Sequence, residues 1–271
     1  MSSYVVVGAS RGLGFEYLRQ LSENPENIVV GLVRNVQATR DKVAAEIDRP
    51  NVHIFYSDLS DYKTLPGAVE ETSKVTGGKL DVLIANAAVG GDYFDLTLSE
   101  LGSDPEKLEK DLTDCFRLNV VAQAHAVNAF MPLVLLGKTK KVIVMTTGMA
   151  DVDLVRKYDL WMGVGYCASK AALNMIIAKF SAEYREKGVL FLGISPGVVD
   201  TSASDTNGAK DAVNRASSAL GAKLLEYEPE WKGPIQTEES IKKILSVTDK
   251  ATAEDGNAGD FVSHLGNKRW V

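Results

Sequence analysis

Apolar and polar positions along the chain follow two alternating periods. Short unbroken apolar runs, mostly β-branched or aromatic, recur at residues 4–7, 28–33, 52–56, 80–85, 141–147 and 189–195. Runs of this length and kind predict strands covered on both faces. Between them lie stretches of helical spacing at residues 15–22, 37–48, 62–76, 105–136 and 166–187. Strand and helix taking turns predicts an α/β fold, a doubly wound parallel sheet with right-handed crossovers and helices on both faces. No repeat, low-complexity tract or linker divides the chain. Residues 1–271 therefore read as a single domain.

Composition narrows the function more than the fold. The 271 residues are 45% hydrophobic and 24% charged, with a net charge of -6. No basic patch with interleaved aromatics stands out, which argues against nucleic acid as a partner. Cys115 and Cys167 are far apart in sequence and lack metal or redox spacing, as suits a reducing compartment. His53, His125 and His264 are scattered, so no metal site is expected. Met1 to Tyr4 run straight into the first strand, leaving no room for a signal peptide, and no apolar run has transmembrane length. The expectation is a soluble cytoplasmic protein without a membrane partner.

Candidate chemistry gathers at strand ends, where ligands bind in sheets of this type. Gly8, Arg34, Asp58, Asn86, Thr147 and Pro196 all fall there. After the first strand comes Gly8-Ala9-Ser10-Arg11-Gly12-Leu13-Gly14, then a helix. Strand, glycine turn and helix form a phosphate cradle, with backbone N–H groups and the helix N-terminus facing the charge. The spacing is G-x-x-x-G-x-G instead of the common dinucleotide G-x-G-x-x-G. At the end of the second strand an acid would accept from a ribose 2′-hydroxyl. Arg34 stands there, with Arg11 in the glycine loop. Two guanidiniums suit a 2′-phosphate, so the expected cofactor is NADP(H).

The fifth strand ends in Thr146-Thr147, and the following helix begins Tyr166-Cys167-Ala168-Ser169-Lys170. Of the nine tyrosines, only Tyr166 has lysine at the fourth position, on the same helix face. A fixed ammonium would lower the phenol pKa toward neutrality. Such a phenol exchanges a proton with a carbonyl oxygen that a threonine hydroxyl holds in place. Strand alternation sends Thr146 and Thr147 to opposite faces, so only one can serve.

These residues together resemble the short-chain dehydrogenase/reductase family over nearly the whole chain. The resemblance rests on Gly8-x-x-x-Gly12-x-Gly14, Asp58-Leu59, Asn86-Ala87, Asn119, Thr147, Tyr166-x-x-x-Lys170 and Pro196-Gly197-Val198-Val199-Asp200-Thr201. Thr237 to Ser240, Gly259-Asp260-Phe261, Gly266 and Trp270 are similar to the branch of C-factor-like and sniffer-like carbonyl reductases, and to fungal ketoreductases of aromatic polyketides. The resemblance implies a Rossmann-type fold and a role for each position. Gly8, Ser10, Arg11, Gly12, Leu13 and Gly14 would cradle the phosphates. Asp58 and Leu59 would meet the adenine, and Asn86 the adenosine ribose. Tyr166 would be the acid–base group, chosen with Thr147 over Thr146 by the family pattern. Lys170 would bond the nicotinamide ribose and tune Tyr166, while Asn119 would bend its helix and hold a relay water. Pro196, Gly197, Val199 and Thr201 would fix the nicotinamide. The long helices containing Asn119 and Tyr166 imply a homodimer or homotetramer.

Three departures from the family pattern stand out. Thr147 replaces the usual serine, Ala85-Asn86-Ala87-Ala88 replaces N-N-A-G, and residues 148–165 form a long insertion before Tyr166. A substrate-loop segment is expected at 202–232. Tyr93, Phe94, Trp161, Met162, Tyr227 and Trp231 serve either as walls for a large apolar or aromatic substrate or as packing. Three functions compete: an NADPH-dependent reductase of a ketone or aldehyde, a cofactor-binding sensor with little turnover, and a biosynthetic cyclase or eliminase on the same fold.

Overall fold

The computed structural model describes residues 1–201 and 210–271, the side chains of 210–217 excepted. Its strands are β1 (Ser3–Val7), β2 (Ile28–Val33), β3 (Val52–Tyr56), β4 (Val82–Ala85), β5 (Lys141–Met145), β6 (Leu190–Ser195), β7 (Val199–Asp200), β8 (Ile235–Gln236) and β9 (Phe261–Ser263). Seven form one sheet in the order β3-β2-β1-β4-β5-β6-β9, and β7 pairs with β8 separately. Every pairing is parallel, including Val5 with Val30 and Val142 with Leu83. The helices are α1 (Gly12–Leu21), α2 (Val36–Glu46), α3 (Leu65–Thr76), α4 (Leu98–Gly102), α5 (Pro105–Phe116), α6 (Ala122–Leu135), α7 (Val152–Tyr158), α8 (Val164–Tyr184), α9 (Lys210–Tyr227) and α10 (Thr237–Lys250).

Alternation along each strand builds two cores. Val6, Ile143, Met145, Leu192 and Ile194 meet Phe15 and Leu18 of α1, Val43 of α2, and Ile241 and Ile244 of α10. Val5, Val7, Val142, Val144 and Phe191 meet Ala68 of α3, Val127 and Phe130 of α6, and Leu173 and Ile177 of α8. Each such aliphatic or Phe side chain contributes roughly 1.5–3 kcal/mol on full burial. The sheet is therefore held from both sides, which explains why its strands read as unbroken apolar runs.

The structure revises several boundaries. The stretch 105–136 is not one α-helix. It divides into α5, a π-helical turn at Arg117–Val121, and α6. By length and composition Pro105–Leu135 could cross a membrane, contrary to the sequence reading, yet 56% of its most apolar window is buried in the protein. Its apolar character is that of a core helix. The ladder of β5 ends at Met145, two residues early. Thr146 N–H still donates to Ile194 O at 2.9 Å, and Thr147 stays extended at φ -150 and ψ 145. The expected alternation therefore survives the end of the ladder. Both α10 and the three-residue β9 lie beyond the elements predicted from periodicity.

Candidate active site

The glycine loop is built by close approach. Gly8 adopts φ +81, and a side-chain carbon there would come within 2.6 Å of Ala87 Cβ. Only glycine accepts that conformation and contact together. Asn86 Nδ2 donates to Gly8 O at 3.0 Å, so this side chain braces the loop. Helix α1 has Arg11 at its N-cap, no side-chain cap and no acid in its first turn. The first-turn N–H groups of Gly12, Leu13 and Gly14 lack intrahelical acceptors, and the dipole favours an anion beside them. This cradle, with Ser10 in its loop, fits the phosphates of a dinucleotide. Arg34 is exposed just past β2. It lies near enough to Asp58 to help hold that carboxyl below its usual range, although the Ser60 N–H bond is the larger influence. Asp58 Oδ1 accepts from Ser60 N at 2.9 Å and Ser60 Oγ at 2.8 Å. Half of the carboxylate expected at the adenine is thus already engaged. Leu59 packs partly against the core.

Next to this loop, at the ends of β4 and β5, the acid–base candidates come together. Thr146 is buried, and its hydroxyl has no partner among the described residues. Thr147 turns the other way, and its hydroxyl stands close enough to the Tyr166 phenol to hold the phenol pKa back somewhat. The same hydroxyl accepts from Met149 N–H at 3.3 Å. Lys170 is 1% exposed and donates to Met145 O at 2.7 Å. Burial pushes its pKa down to about 7. Here the sequence expectation fails. Tyr166 is raised, because desolvation outweighs the effect of the neighbouring Thr147 hydroxyl, and Lys170 is not among the causes. The ammonium that was to stabilise the phenolate is itself penalised by burial.

Asn119 sits fully buried within the π-helical turn. Its Oδ1 accepts from Val89 N–H, and its Nδ2 donates to Val89 O and Ser169 Oγ, each at 2.9 Å. The side chain thus fastens the loop after β4 to α8, a job invisible in sequence. A π turn displaces the hydrogen-bond register there.

The loop after β6 is clamped from behind. Gly197 adopts φ +82 with His264 against it, a side-chain carbon there falling 2.8 Å from the imidazole. Ser240 Oγ donates to Pro196 O at 2.8 Å. Ser195 O accepts from His264 N–H at 2.7 Å, and Ser195 Oγ accepts from Gly148 N–H at 2.9 Å. Burial lowers His264 to about 4, so the imidazole is neutral near pH 7. Val199 enters β7 and pairs with Ile235, while Thr201 ends the described part of this segment.

The model of the short chain dehydrogenase family matches residues 3–212. The chain belongs to this family. A short chain dehydrogenase of Hypocrea virens, virK, is 46% identical, and the match spans 100% of each chain. Among solved structures, NADPH-bound carbonyl reductase from chicken fatty liver superimposes with a TM-score of 0.77 at 22% identity, covering 98% of each chain. Carbonyl reductase Sniffer of D. melanogaster does so with a TM-score of 0.77 at 19% identity, again over 98% of each chain. At such identities the two structures speak for the fold. The family makes this protein an oxidoreductase that takes a nicotinamide cofactor.

In this short-chain dehydrogenase the aromatic candidates serve in packing, and Phe94 both packs there and borders Tyr166. Phe94 lies 6.0 Å from the Tyr166 ring, tilted by 53°. Met162 is 2% exposed and belongs with Leu154, Leu160 and Trp270 to a third core, against which Trp161 and Tyr227 pack. Packing, not a substrate wall, is what holds Met162. Residues 202–209 of the expected substrate segment lie outside the described residues. The sequence missed Gln123, whose Nε2 donates to Ala87 O, as well as Ser195, Ser240 and His264. Each acts through a backbone group of a distant segment, and spacing along the chain carries no such signal.

Proposed function

We propose that this oxidoreductase uses NADPH to reduce a ketone or aldehyde, a fairly large apolar or aromatic carbonyl compound. One arrangement carries the reading: the Thr147 hydroxyl stands beside the Tyr166 phenol, close enough to act on its pKa, with buried Lys170 one turn further along the same helix. NADPH bound along the glycine loop supplies the hydride that reaches the carbonyl carbon. Gly8, Ser10, Arg11, Gly12, Leu13 and Gly14 hold its phosphates, Arg34 with Arg11 its 2′-phosphate, Asp58, Leu59 and Asn86 its adenosine end. Pro196, Gly197, Val199 and Thr201 hold the other end. The preference for the phosphorylated cofactor rests on the arginines.

Thr147 donates to the carbonyl oxygen, and Tyr166 delivers its proton to that oxygen as negative charge develops. A high phenol pKa keeps the proton on Tyr166 until an alkoxide, a far stronger base, appears. Lys170, near pKa 7, exchanges protons readily at neutral pH and returns one to Tyr166. Asn119 keeps the α8 face and the Val89 loop in register during this exchange. Phe94 beside Tyr166 supports an apolar or aromatic substrate.

The test is NADPH consumption with a panel of aromatic ketones, quinones and aldehydes. Tyr166→Phe should lose about 10²–10⁴-fold in turnover while binding NADPH normally. Wild-type-like reduction by this variant, or no consumption by the wild type on any carbonyl, would sink the reading.

A further inference from the structure

Asp111 of α5 is a carboxylate buried to 4% exposure. Its Oδ2 accepts from Gly165 N–H at 2.9 Å. Gly165 immediately precedes Tyr166 in α8. That helix begins at Gly163, which adopts φ +68 and offers no side-chain cap. The first N–H groups of a helix need acceptors from elsewhere. Here they come from other segments: Phe94 O takes Gly163 N–H at 2.8 Å, and Asp111 takes Gly165 N–H. A negative group at this end also complements the helix dipole.

The second carboxylate oxygen faces the other way. A side-chain carbon on Gly91 would fall 2.5 Å from Asp111 Oδ1 and 3.2 Å from Cys115 Sγ. Gly91 itself adopts φ +85. Asp111 Oδ1 is buried with no hydrogen-bond partner among the described residues. Such an orphan is costly, a cost set against what the other oxygen holds in place. It is wedged between glycines of two elements, the loop that carries Phe94 and the helix that carries Tyr166. Charged neighbours are Asp92 of that loop, with Lys110 and Asp114 of α5.

We propose that Asp111 is a positioning residue. It caps α8 through Gly165 and seats the Gly91 loop against the same helix, fixing Tyr166 and Phe94 relative to each other. This rests on the reductase reading for its catalytic consequence, but the capping role does not. A misplacement of about 1 Å costs on the order of 10²-fold when the displaced group is the proton donor.

The test compares Asp111→Ala and Asp111→Asn with the wild type by amide hydrogen exchange and by kinetics. Asp111→Ala should speed exchange at Gly165 and Tyr166 by about 10-fold, as for loss of a hydrogen bond to a charged group, leaving the sheet strands protected. Its kcat should fall about 10–100-fold, with the dissociation constant of NADPH within about twofold. Asparagine keeps an acceptor for Gly165 and should restore both protection and kcat. If the alanine variant does not fold, Asp111→Ser, too short to reach Gly165, replaces it. Unchanged exchange in a folded variant overturns the capping role. Faster exchange with unchanged kcat overturns the catalytic one. A wild type that reduces no carbonyl removes the reductase reading, and exchange then still decides whether Asp111 caps α8.

Discussion

Lys170 Nζ donates to Met145 O at 2.7 Å, so the last carbonyl of β5 anchors a cation one helical turn beyond Tyr166. The bond fixes the ammonium without neutralising it, and desolvation wins, drawing the pKa from 10.5 to about 7.

A pH dependence follows. The folded pKa lies below the unfolded one, so between pH 7 and 10.5 the unfolded chain binds more protons. Stability contributed by this group is least below pH 7 and rises through that window. Denaturant titrations of the cofactor-free protein should show a positive slope from pH 7 to about 9, which Lys170→Met flattens, while above pH 9 Cys115 and Cys167, held up by burial, act in the opposite direction. An equal slope in the variant would show that Lys170 is not the group titrating.

The two threonines should separate cleanly. Thr147→Ser keeps the hydroxyl beside Tyr166 and should retain or raise turnover. Thr147→Val should cost roughly 10²–10³-fold in kcat, as for one oxyanion donor. Thr146→Val replaces a buried hydroxyl without a partner by a methyl. It should leave kcat unchanged and stabilise the fold by about 1 kcal/mol. A dead Thr146→Val with an active Thr147→Val would reverse the assignment.

Arg34 tests the cofactor preference. Calorimetry should find NADPH bound more tightly than NADH, and Arg34→Ala should narrow the difference, because charge-assisted contacts to phosphate are the strong kind. The change should appear mainly in the Michaelis constant for NADPH. Equal binding of both nucleotides by the wild type would refute the 2′-phosphate reading.

Gly148 follows Thr147 and lies under the C-terminal Trp270, 4% exposed. An added carbon at Gly148 would stand 2.6 Å from Trp270 Cβ. Gly148→Ala should therefore destabilise by about 1–3 kcal/mol. Trp270→Ala should cost about 3–5 kcal/mol, both read from denaturation midpoints. Near-native stability in either would mean that the tail does not pack as described.

Leu112 and Phe116 of α5 and Met175 of α8 are exposed at 37%, 47% and 60%. A homo-oligomer formed through these helices would cover them. Sedimentation should show a dimer or tetramer, and Phe116→Glu should shift it toward monomer. A monomeric wild type at micromolar concentration would end that expectation.

What the sequence determined is what local rules govern. Strand runs 28–33 and 52–56 matched the structure residue for residue, the first because a doubly covered strand must be apolar throughout. Thr147, Tyr166 and Lys170 could be brought together from strand alternation, helix spacing and family resemblance. Tertiary structure alone decided the rest. Short β9 is a strand because β6 offers it an edge, Gly193 to Ser195 pairing with Phe261 to Ser263. The π turn at Asn119 forms where that side chain bridges Val89 and Ser169. Tyr166 is raised and Lys170 lowered because both sit in a low-dielectric pocket assembled from distant segments. Desolvation depends on everything that surrounds a group, and a spacing of four residues reports only one neighbour.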